Sequence, residues 1–312
     1  GVVAVPSMII PSSMSHGERD FIRLGVEQGI RNDGRSGSEF RSLQVDVGVL
    51  PQCFGSARVT IARNVVGGGG TDITVAIKAE IITPSQESPN QGKIEVNVEC
   101  NSILFTGMSH SRDVREELNA ELSGILRDML VETVPLSSLT IMPGKFAWRI
   151  FVDAMIMHSE GNLLDGLSFA AWAALKTTRL PALKPIRAEA GFDDDFELDS
   201  SMEAAVPLSV AQLPISVTFS LIGTGFVVDA TREEEGCASS RAAIAVNAQG
   251  TLCGVHQSGT IAVPPADLVP LISKAQGIAK GLIDGLNQAV QSSTQQGGAF
   301  PDVPDLGSGF LI

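Results

Sequence analysis

The amino-acid sequence predicts an α+β protein built from two β-sheet subdomains with helices packed against them. Segments that alternate in polarity, or that are rich in β-branched residues, form two groups along the chain, and an acidic stretch around residue 195 separates the groups. Helical patterns precede, separate and follow these groups, which is typical of α+β proteins. With 312 residues, 44% of them hydrophobic, the chain can bury a substantial core.

The N-terminal half begins with a helix and continues with four strands. Residues 16–31 place apolar side chains near helical spacing, and Asn32-Asp33-Gly34 supplies a stop. The run of glycines at 67–70 is interpreted as a hairpin loop instead of a phosphate cradle, because neither Lys-Ser nor Lys-Thr follows it. The strands, predicted to form an antiparallel sheet, are 43–49, 57–61, 72–82 and 94–98.

The middle of the chain holds two helices and one long strand. Residues 112–132 give the strongest helical pattern, with apolar side chains on one face and charges on the other. Residues 146–158 predict a long central strand. Residues 163–178 are rich in alanine and apolar on most of the helix surface, so this helix is expected to be buried against a sheet.

An acidic run at 193–203 is interpreted as a solvated loop, after which strands resume. A final helix is predicted at 265–290, and the strands before it are 215–222, 226–230, 242–247 and 251–256, with a hairpin turn at 248–250. The predicted organisation is a flexible extension at 1–15, a subdomain at 16–190, an acidic connecting loop at 191–211, a subdomain at 212–290 and a mobile tail at 291–312.

Composition excludes several classes of function. A net charge of −13 argues against a free-standing nucleic-acid binder, because phosphate affinity comes largely from clustered Lys and Arg. The four cysteines are isolated and the four histidines scattered, so neither a zinc site nor any other cofactor is expected. The glutamates at 233–235 could hold a divalent cation, since they lie between two predicted strands. The apolar run at 169–175 is too short to span a bilayer, and we expect a soluble intracellular protein.

Several short stretches, taken in order and spacing, resemble the RNase PH superfamily and, within it, the ring subunits of the eukaryotic exosome. The resemblance extends from Gly17 to Val290 and implies the RNase PH-like fold of two α+β subdomains. The stretches are Arg31-Asn32-Asp33-Gly34-Arg35 with Arg41, Gly55-Ser56-Ala57-Arg58-Val59, 72–80, Pro89-Asn90-Gln91-Gly92, 148–153, Gly161-Asn162-Leu163-Leu164-Asp165 and Val227-Val228-Asp229-Ala230-Thr231.

The resemblance also indicates where catalytic residues would stand. Active members hold phosphate with a Gly-Thr-Arg-type turn, and the matching turn here is Asn162-Leu163-Leu164, which lacks the hydroxyl and the guanidinium. Active members place two aspartates six residues apart, at positions that match Glu235 and Arg241. Glu235 could replace one aspartate, but Arg241 would repel a cation 4 Å away by about 4 kcal/mol at an effective dielectric of 20. We therefore expect a degenerate active site without catalysis or a metal.

The role that the resemblance implies is structural. Such a chain would be one of six RNase PH-like subunits in the exosome ring, bound by S1/KH cap subunits, with RNA passing through the central channel toward an associated hydrolytic nuclease. It would support 3′-to-5′ RNA processing and degradation in the nucleus, nucleolus and cytoplasm. Arg112 and Arg115 are the candidate RNA-binding residues, and Arg58 is a weaker one. The alternative for Arg112 and Arg115 is that they lie in an exposed first turn of a helix and have no role in RNA binding. The alternative for Arg58 is that it pairs with a nearby acidic residue.

Three alternative functions remain open at this point. An active phosphorolytic exoribonuclease would release nucleoside diphosphates from poly(A) and phosphate. A sister subunit at another ring position would share the role and differ in its neighbours. A relative of the same fold with an unrelated ligand would bind that ligand at the turn formed by residues 162–165.

Overall fold

The computed structural model describes residues 14–62, 70–106, 111–186, 195–199, 204–210 and 212–295. The predicted N-terminal extension, the glycines at 67–69, Asp193 and Asp194, and the tail from residue 296 lie outside these residues. The helices are α1 (His16–Glu27), α2 (Ser111–Val131), α3 (Leu163–Thr177), α4 (Arg232–Cys237) and α5 (Pro265–Gln295). The strands are β1 (Leu43–Val47), β2 (Gly55–Ala62), β3 (Gly70–Ile82), β4 (Lys93–Cys100), β5 (Thr140–Met142), β6 (Phe146–His158), β7 (Arg179–Leu180), β8 (Ala182–Ile186), β9 (Asp195–Asp199), β10 (Val206–Pro207), β11 (Ile215–Ile222), β12 (Gly225–Val228), β13 (Ser240–Val246) and β14 (Leu252–Gly259).

The first sheet has six strands in the order β1-β2-β3-β6-β4, with β5 beside β6. Strand β6 is its long central member, as predicted. Strand β4 runs parallel to β6, so the prediction of an antiparallel sheet is wrong for this pair. The chain between the two strands contains α2, and a crossover of that length is what a parallel pairing requires.

The second sheet has four antiparallel strands in the order β12-β11-β13-β14. Every residue of β13 is buried, because α5 covers one face of this sheet and the other faces α2 and α3. Helix α5 also contacts β1 of the first sheet. No described helix combines the length and the apolarity that a membrane span needs.

Helix α3 lies between the two sheets, contacting β2 and β3 on one side and β11 on the other. All thirteen residues from its start through Leu175 are buried, which confirms the predicted burial and extends it to both sides. Its small side chains permit close packing: a Cβ at Gly166 would lie 2.9 Å from Ile73 Cδ1. The N-terminal end of this central helix is therefore held between the subdomains.

Three local predictions are corrected by the structure. Residues 195–199 form β9, paired with β8, instead of a solvated loop. The sequence Asp-Phe-Glu-Leu-Asp alternates acidic and apolar residues, which is a strand pattern that its charge obscured. Helix α1 ends at Glu27, before the predicted end, and the chain turns at Gly29 with φ 74°. The glutamates at 233–235 lie in the short helix α4, which the sequence did not predict.

Candidate functional site at the start of α3

The chain enters α3 through a tight turn that lies against the second sheet. Gly161 has φ 91°, and a Cβ there would lie 2.6 Å from both the Ala230 carbonyl oxygen and the Arg232 nitrogen, so only glycine fits. Asn162 follows in the left-handed conformation, with φ 60° and ψ 48°. This turn brings the start of α3 against the loop between β12 and α4.

Asp229, at the end of β12, is the centre of a buried ionic network. Its carboxylate is fully buried and accepts hydrogen bonds from Arg41 Nε (2.8 Å), Arg41 Nη2 (2.7 Å) and Arg35 Nη1 (2.8 Å). The Arg41 backbone N–H and Asn162 Nδ2 also donate to it, each at 2.8 Å. Three separate parts of the sequence therefore meet on one carboxylate.

The two arginines keep Asp229 ionised. Burial alone would raise the pKa of this carboxyl, but the hydrogen bonds and charge of Arg41, with the charge of Arg35, lower it below its usual value. The Arg41 guanidinium also donates hydrogen bonds to the carbonyl oxygens of Glu160 (3.0 Å) and Gly161 (3.4 Å). It thus connects Asp229 to the turn before α3.

A second buried ion pair lies beside this network. Arg31 contacts the Glu234 carboxylate at both oxygens, at 2.8 Å through Nε and 2.6 Å through Nη2. Its guanidinium also donates to the carbonyl oxygens of Val228 and Asp229. The Glu234 carboxylate accepts from the Thr231 backbone N–H (2.8 Å), which makes it part of the capping box of α4.

The two leucines of the turn point into the core. Leu163 and Leu164 are 2% and 4% exposed and belong to the main hydrophobic cluster. The backbone N–H of Asn162 donates to Glu235 Oε1 at 2.8 Å. A helix N-terminus ordinarily attracts an anion through such N–H groups, and here a carboxyl of the same chain occupies one of them.

Glu235 and Arg241, the positions matched to the two catalytic aspartates, are in contact through the Glu235 backbone. Arg241 Nη2 donates to the Glu235 carbonyl oxygen at 2.9 Å, and Arg241 is 4% exposed. Burial raises the pKa of the Glu235 carboxyl to about 7, although Arg241 and the Asn162 N–H oppose that rise. Burial also lowers the pKa of Arg241. Among the described residues, no group of three or more His, Cys, Asp or Glu could hold a metal ion.

Further polar groups from α2 and β14 lie near Arg241. The charge of Arg241 acts on Glu121 of α2, whose pKa is raised to about 7 by burial and by Glu117. His256 Nε2 lies 3.9 Å from Glu121 Oε1, and burial lowers the pKa of this histidine. The interior of this part of the subdomain interface is therefore polar, in contrast to the apolar packing around α3.

The predicted RNA-binding arginines lie on the surface of the first subdomain. Arg112 is 81% exposed and pairs with Glu116 at 2.8 Å. Arg115 borders a surface depression of about 450 Å³, which Glu99 of β4 also lines. Arg58 pairs with Asp72 at 2.5 Å, so the predicted pairing with an acid is found.

Cross-strand pairing places the following residues in one row across β2, β3, β6 and β4: Arg58, Thr74, Met155 and Glu99. Arg58 and Arg115 thus stand at the two ends of one surface.

Sequence reasoning assigned no role to several residues that build this site. Arg31, Arg35 and Arg41 carried the family resemblance, yet nothing in the sequence indicated that they share Asp229 and Glu234. Their one signal was three arginines within eleven residues of a chain that is otherwise acidic. Such residues are exposed on most proteins, whereas all three are buried here.

Comparison with known proteins agrees with the fold and the motifs. The 3′ exoribonuclease family, also called RNase PH, matches in its domain 1 over residues 39–181 and in its domain 2 over residues 212–277. The chain belongs to the RNase PH family. This confirms the resemblance and the RNase PH-like α+β fold.

The individual relatives of this RNase PH-family chain are named as exosome components. A Dictyostelium discoideum protein whose printed name is "Putative exosome complex exonuclease RRP42" is 27% identical, covering 89% of this chain and 98% of its own length. The exosome complex component Rrp42 of Methanocella arvoryzae is 31% identical, covering 86% and 95%. A chain of the Archaeoglobus fulgidus exosome with RNA bound to the active site superposes with a TM-score of 0.69 at 27% identity, covering 86% and 97%.

Neutralising the central carboxylate should strongly destabilise this RNase PH-family fold. Asp229→Asn leaves two buried arginines without their charge partner, and we expect a loss of about 3–5 kcal/mol in the free energy of unfolding, measured by urea titration. Asparagine tolerates the φ of 46° at this position, so backbone strain does not contribute to the expected loss of stability. The control is Asp72→Asn, which breaks the surface pair with Arg58 and should cost under about 1 kcal/mol. Equal losses in the two variants would contradict the role of Asp229.

The Glu235 carboxyl should make stability depend on pH. Its pKa of about 7 in the folded state exceeds the usual 4.5. The contribution of this carboxyl to the free energy of unfolding is therefore complete below pH 4.5 and is lost as the pH rises to 7. Glu235→Gln keeps the acceptor for the Asn162 N–H but does not titrate. The variant should therefore gain stability relative to the parent between these two pH values, by at most about 1.4 kcal/mol per pH unit, and the difference should level off above pH 7. If the free energies of unfolding of variant and parent, measured by denaturant titration, differ by a constant amount from pH 4.5 to 8, the raised pKa of Glu235 is refuted.

Proposed function

We propose that this chain is a non-catalytic ring subunit of an exosome core, and that its degenerate active site has become a structural joint. It pairs with sister RNase PH-like subunits in a six-membered ring and supports 3′-to-5′ RNA processing and degradation, including ribosomal RNA maturation. S1/KH cap subunits bind the ring, and an associated hydrolytic nuclease receives the RNA. The chain acts in the nucleus, the nucleolus and the cytoplasm.

The observation that carries this proposal is the hydrogen bond from the Asn162 N–H to the Glu235 carboxyl. The N–H that opens toward the N-terminal end of α3 is the natural donor for a phosphate, and an internal acceptor already occupies it. The next two side chains, Leu163 and Leu164, are in the core and cannot turn outward without opening it. Arg241 completes the site with a positive charge where active members would carry a carboxylate.

The assembly part of the proposal is supported by the relatives. One of those described above is named as an exosome complex exonuclease and the other as an exosome complex component, and both match this chain over almost their whole length. The related Archaeoglobus fulgidus structure is of an exosome with RNA bound. A chain that is acidic overall suits a ring subunit, because only a narrow part of its surface has to meet phosphate.

The surface between Arg58 and Arg115 is the part that we assign to RNA. It includes the row of residues across the first sheet and the depression at the start of α2. Arg112 and Arg115 lie in the first turns of α2, and Arg112 pairs with the exposed Glu116. Exchanging an exposed carboxylate for a phosphate costs such an arginine little.

Purified chain incubated with poly(A) and inorganic phosphate should release no nucleoside diphosphate, because the Asn162 N–H already has an acceptor and the neighbouring leucines cannot hold phosphate. The same chain co-expressed with sister RNase PH-like subunits should copurify with them as a ring, and any phosphorolysis by that ring should be unchanged by Glu235→Gln. Nucleoside diphosphates released by the purified chain and abolished by this substitution would establish an active phosphorolytic enzyme instead. The identity of the copurifying neighbours distinguishes this ring position from that of a sister subunit.

In the assembled ring, the double variant Arg112→Ala and Arg115→Ala should weaken the binding of single-stranded RNA. Each phosphate that an arginine no longer neutralises should reduce the slope of log affinity against log salt by about 0.7, as measured by fluorescence anisotropy. The matched control is Arg127→Ala, an exposed arginine further along α2 that pairs with Asp128. An unchanged slope in the double variant would exclude these two arginines from the channel.

A further inference from the structure

The edges of the two sheets are not equally protected. At the β1 edge, the Val47 N–H donates to Ser293 Oγ of α5 at 3.1 Å. At the β4 edge, the Val98 and Cys100 N–H groups donate to Ser123 and Asn119 of α2. At the β12 edge, the Val228 N–H donates to the Gly37 carbonyl oxygen at 2.8 Å, and α1 packs beside the strand. Each of these edges is thus covered by another part of the chain.

Strand β14 is the exception among the described residues. It pairs with β13 on one side, and in the part of the chain that the structure describes no other element pairs with its outer side. Its sequence, Leu-Cys-Gly-Val-His-Gln-Ser-Gly, contains neither a proline nor a permanently charged residue, which are the usual protections of an open edge. Leu252 is 42% exposed and Val255 39%. An edge that is long, open, uncharged and partly apolar is a template for strand addition.

A cavity adjoins this edge. It measures about 170 Å³ and lies between β14 and α2. Four consecutive residues of β14, from Cys253 to His256, line it. Ala243 and Ala245 of β13 line it as well, so the cavity lies beneath the face of the second sheet that meets α2 and reaches the outermost strand, β14. A strand added to β14 could therefore place a side chain in it.

The lining of the cavity indicates which side chain would fit. Its walls are mostly apolar, with Ile125 and Met129 from α2 and Leu164 from α3, whereas Asp128 and Glu132 stand at its α2 side and are exposed. An arginine or lysine has the matching form, since its aliphatic stem suits apolar walls and its charged end suits carboxylates. The charge complementarity favours a basic partner over an acidic or purely apolar one.

We infer that the open edge of β14 and its adjoining cavity dock an extended, basic segment of a neighbouring subunit, which adds a strand to the second sheet and inserts an arginine or lysine between β14 and α2. Main-chain hydrogen bonds along β14 supply the affinity, and the cavity supplies the specificity. The identity of the partner as a neighbouring subunit rests on the proposed function.

The first test compares the full-length chain alone with the same chain in the ring reconstituted from its sister subunits. Amide hydrogen exchange across residues 252–259 should slow by about tenfold in the ring, because added strand pairing protects the outer N–H groups. Protection of other surfaces with no change at 252–259 would overturn the docking inference and leave the ring function standing. Failure to form any ring would overturn both.

The second test uses surface variants with their folding checked by thermal melting. The edge variant, Val255→Lys, places a charge on the open edge of β14. The cavity variant combines Asp128→Lys with Glu132→Lys and reverses the charge beside the cavity. Each of these two variants should lower the affinity for sister subunits by about tenfold. The matched control is Val269→Lys, an exposed valine on α5, which should retain the parent's affinity within about twofold. The inference would be refuted if the edge variant and the cavity variant both melted at the parent's temperature and both bound the sister subunits with the parent's affinity.

Discussion

The carboxylate of Asp229 is the constraint on which the arrangement of the two subdomains depends. It accepts hydrogen bonds from Arg35 and Arg41, which precede the first sheet, and from Asn162, which begins the central helix. A buried charge is costly unless it is fully paired, so each donor needs the others in place. Because Asp229 ends a strand of the second sheet, that sheet, α3 and the N-terminal segment can occupy only one relative position.

The same constraint supports the proposal that the site at the start of α3 is a structural joint. The turn at Gly161, the start of α3 and Asp229, which directly follows β12, form a scaffold at the place where the family resemblance puts the phosphate-binding turn. In this chain the gathered groups satisfy one another: Glu235 accepts from the Asn162 N–H, and Arg241 donates to the Glu235 carbonyl oxygen. The scaffold connects the two subdomains, and these contacts need no ligand.

The fold was largely predictable from the sequence because local patterns encode its elements. The limits of β6 and β11 matched the prediction, since both strands are long and flanked by clear turns. The parallel pairing of β4 was missed because it depends on a crossover and not on the strand itself. The network around Asp229 was missed for a related reason: its arginine partners lie nearly 200 residues from it in the chain, 188 for Arg41 and 194 for Arg35. No periodicity links such positions, and an arginine that becomes buried looks like one that stays exposed.

The buried charged groups leave the acidic balance of the chain unchanged. Within the described residues, the buried ionisable groups other than cysteine are four arginines (Arg31, Arg35, Arg41 and Arg241) and four acids (Asp165, Asp229, Glu234 and Glu235). These cancel in formal charge, so the excess of −13 belongs to the rest of the molecule. The four buried arginines are not available to contact a phosphate on the surface. A net charge of this sign repels nucleic acid, so the proposed contact with RNA calls for positive charge from the neighbouring ring subunits.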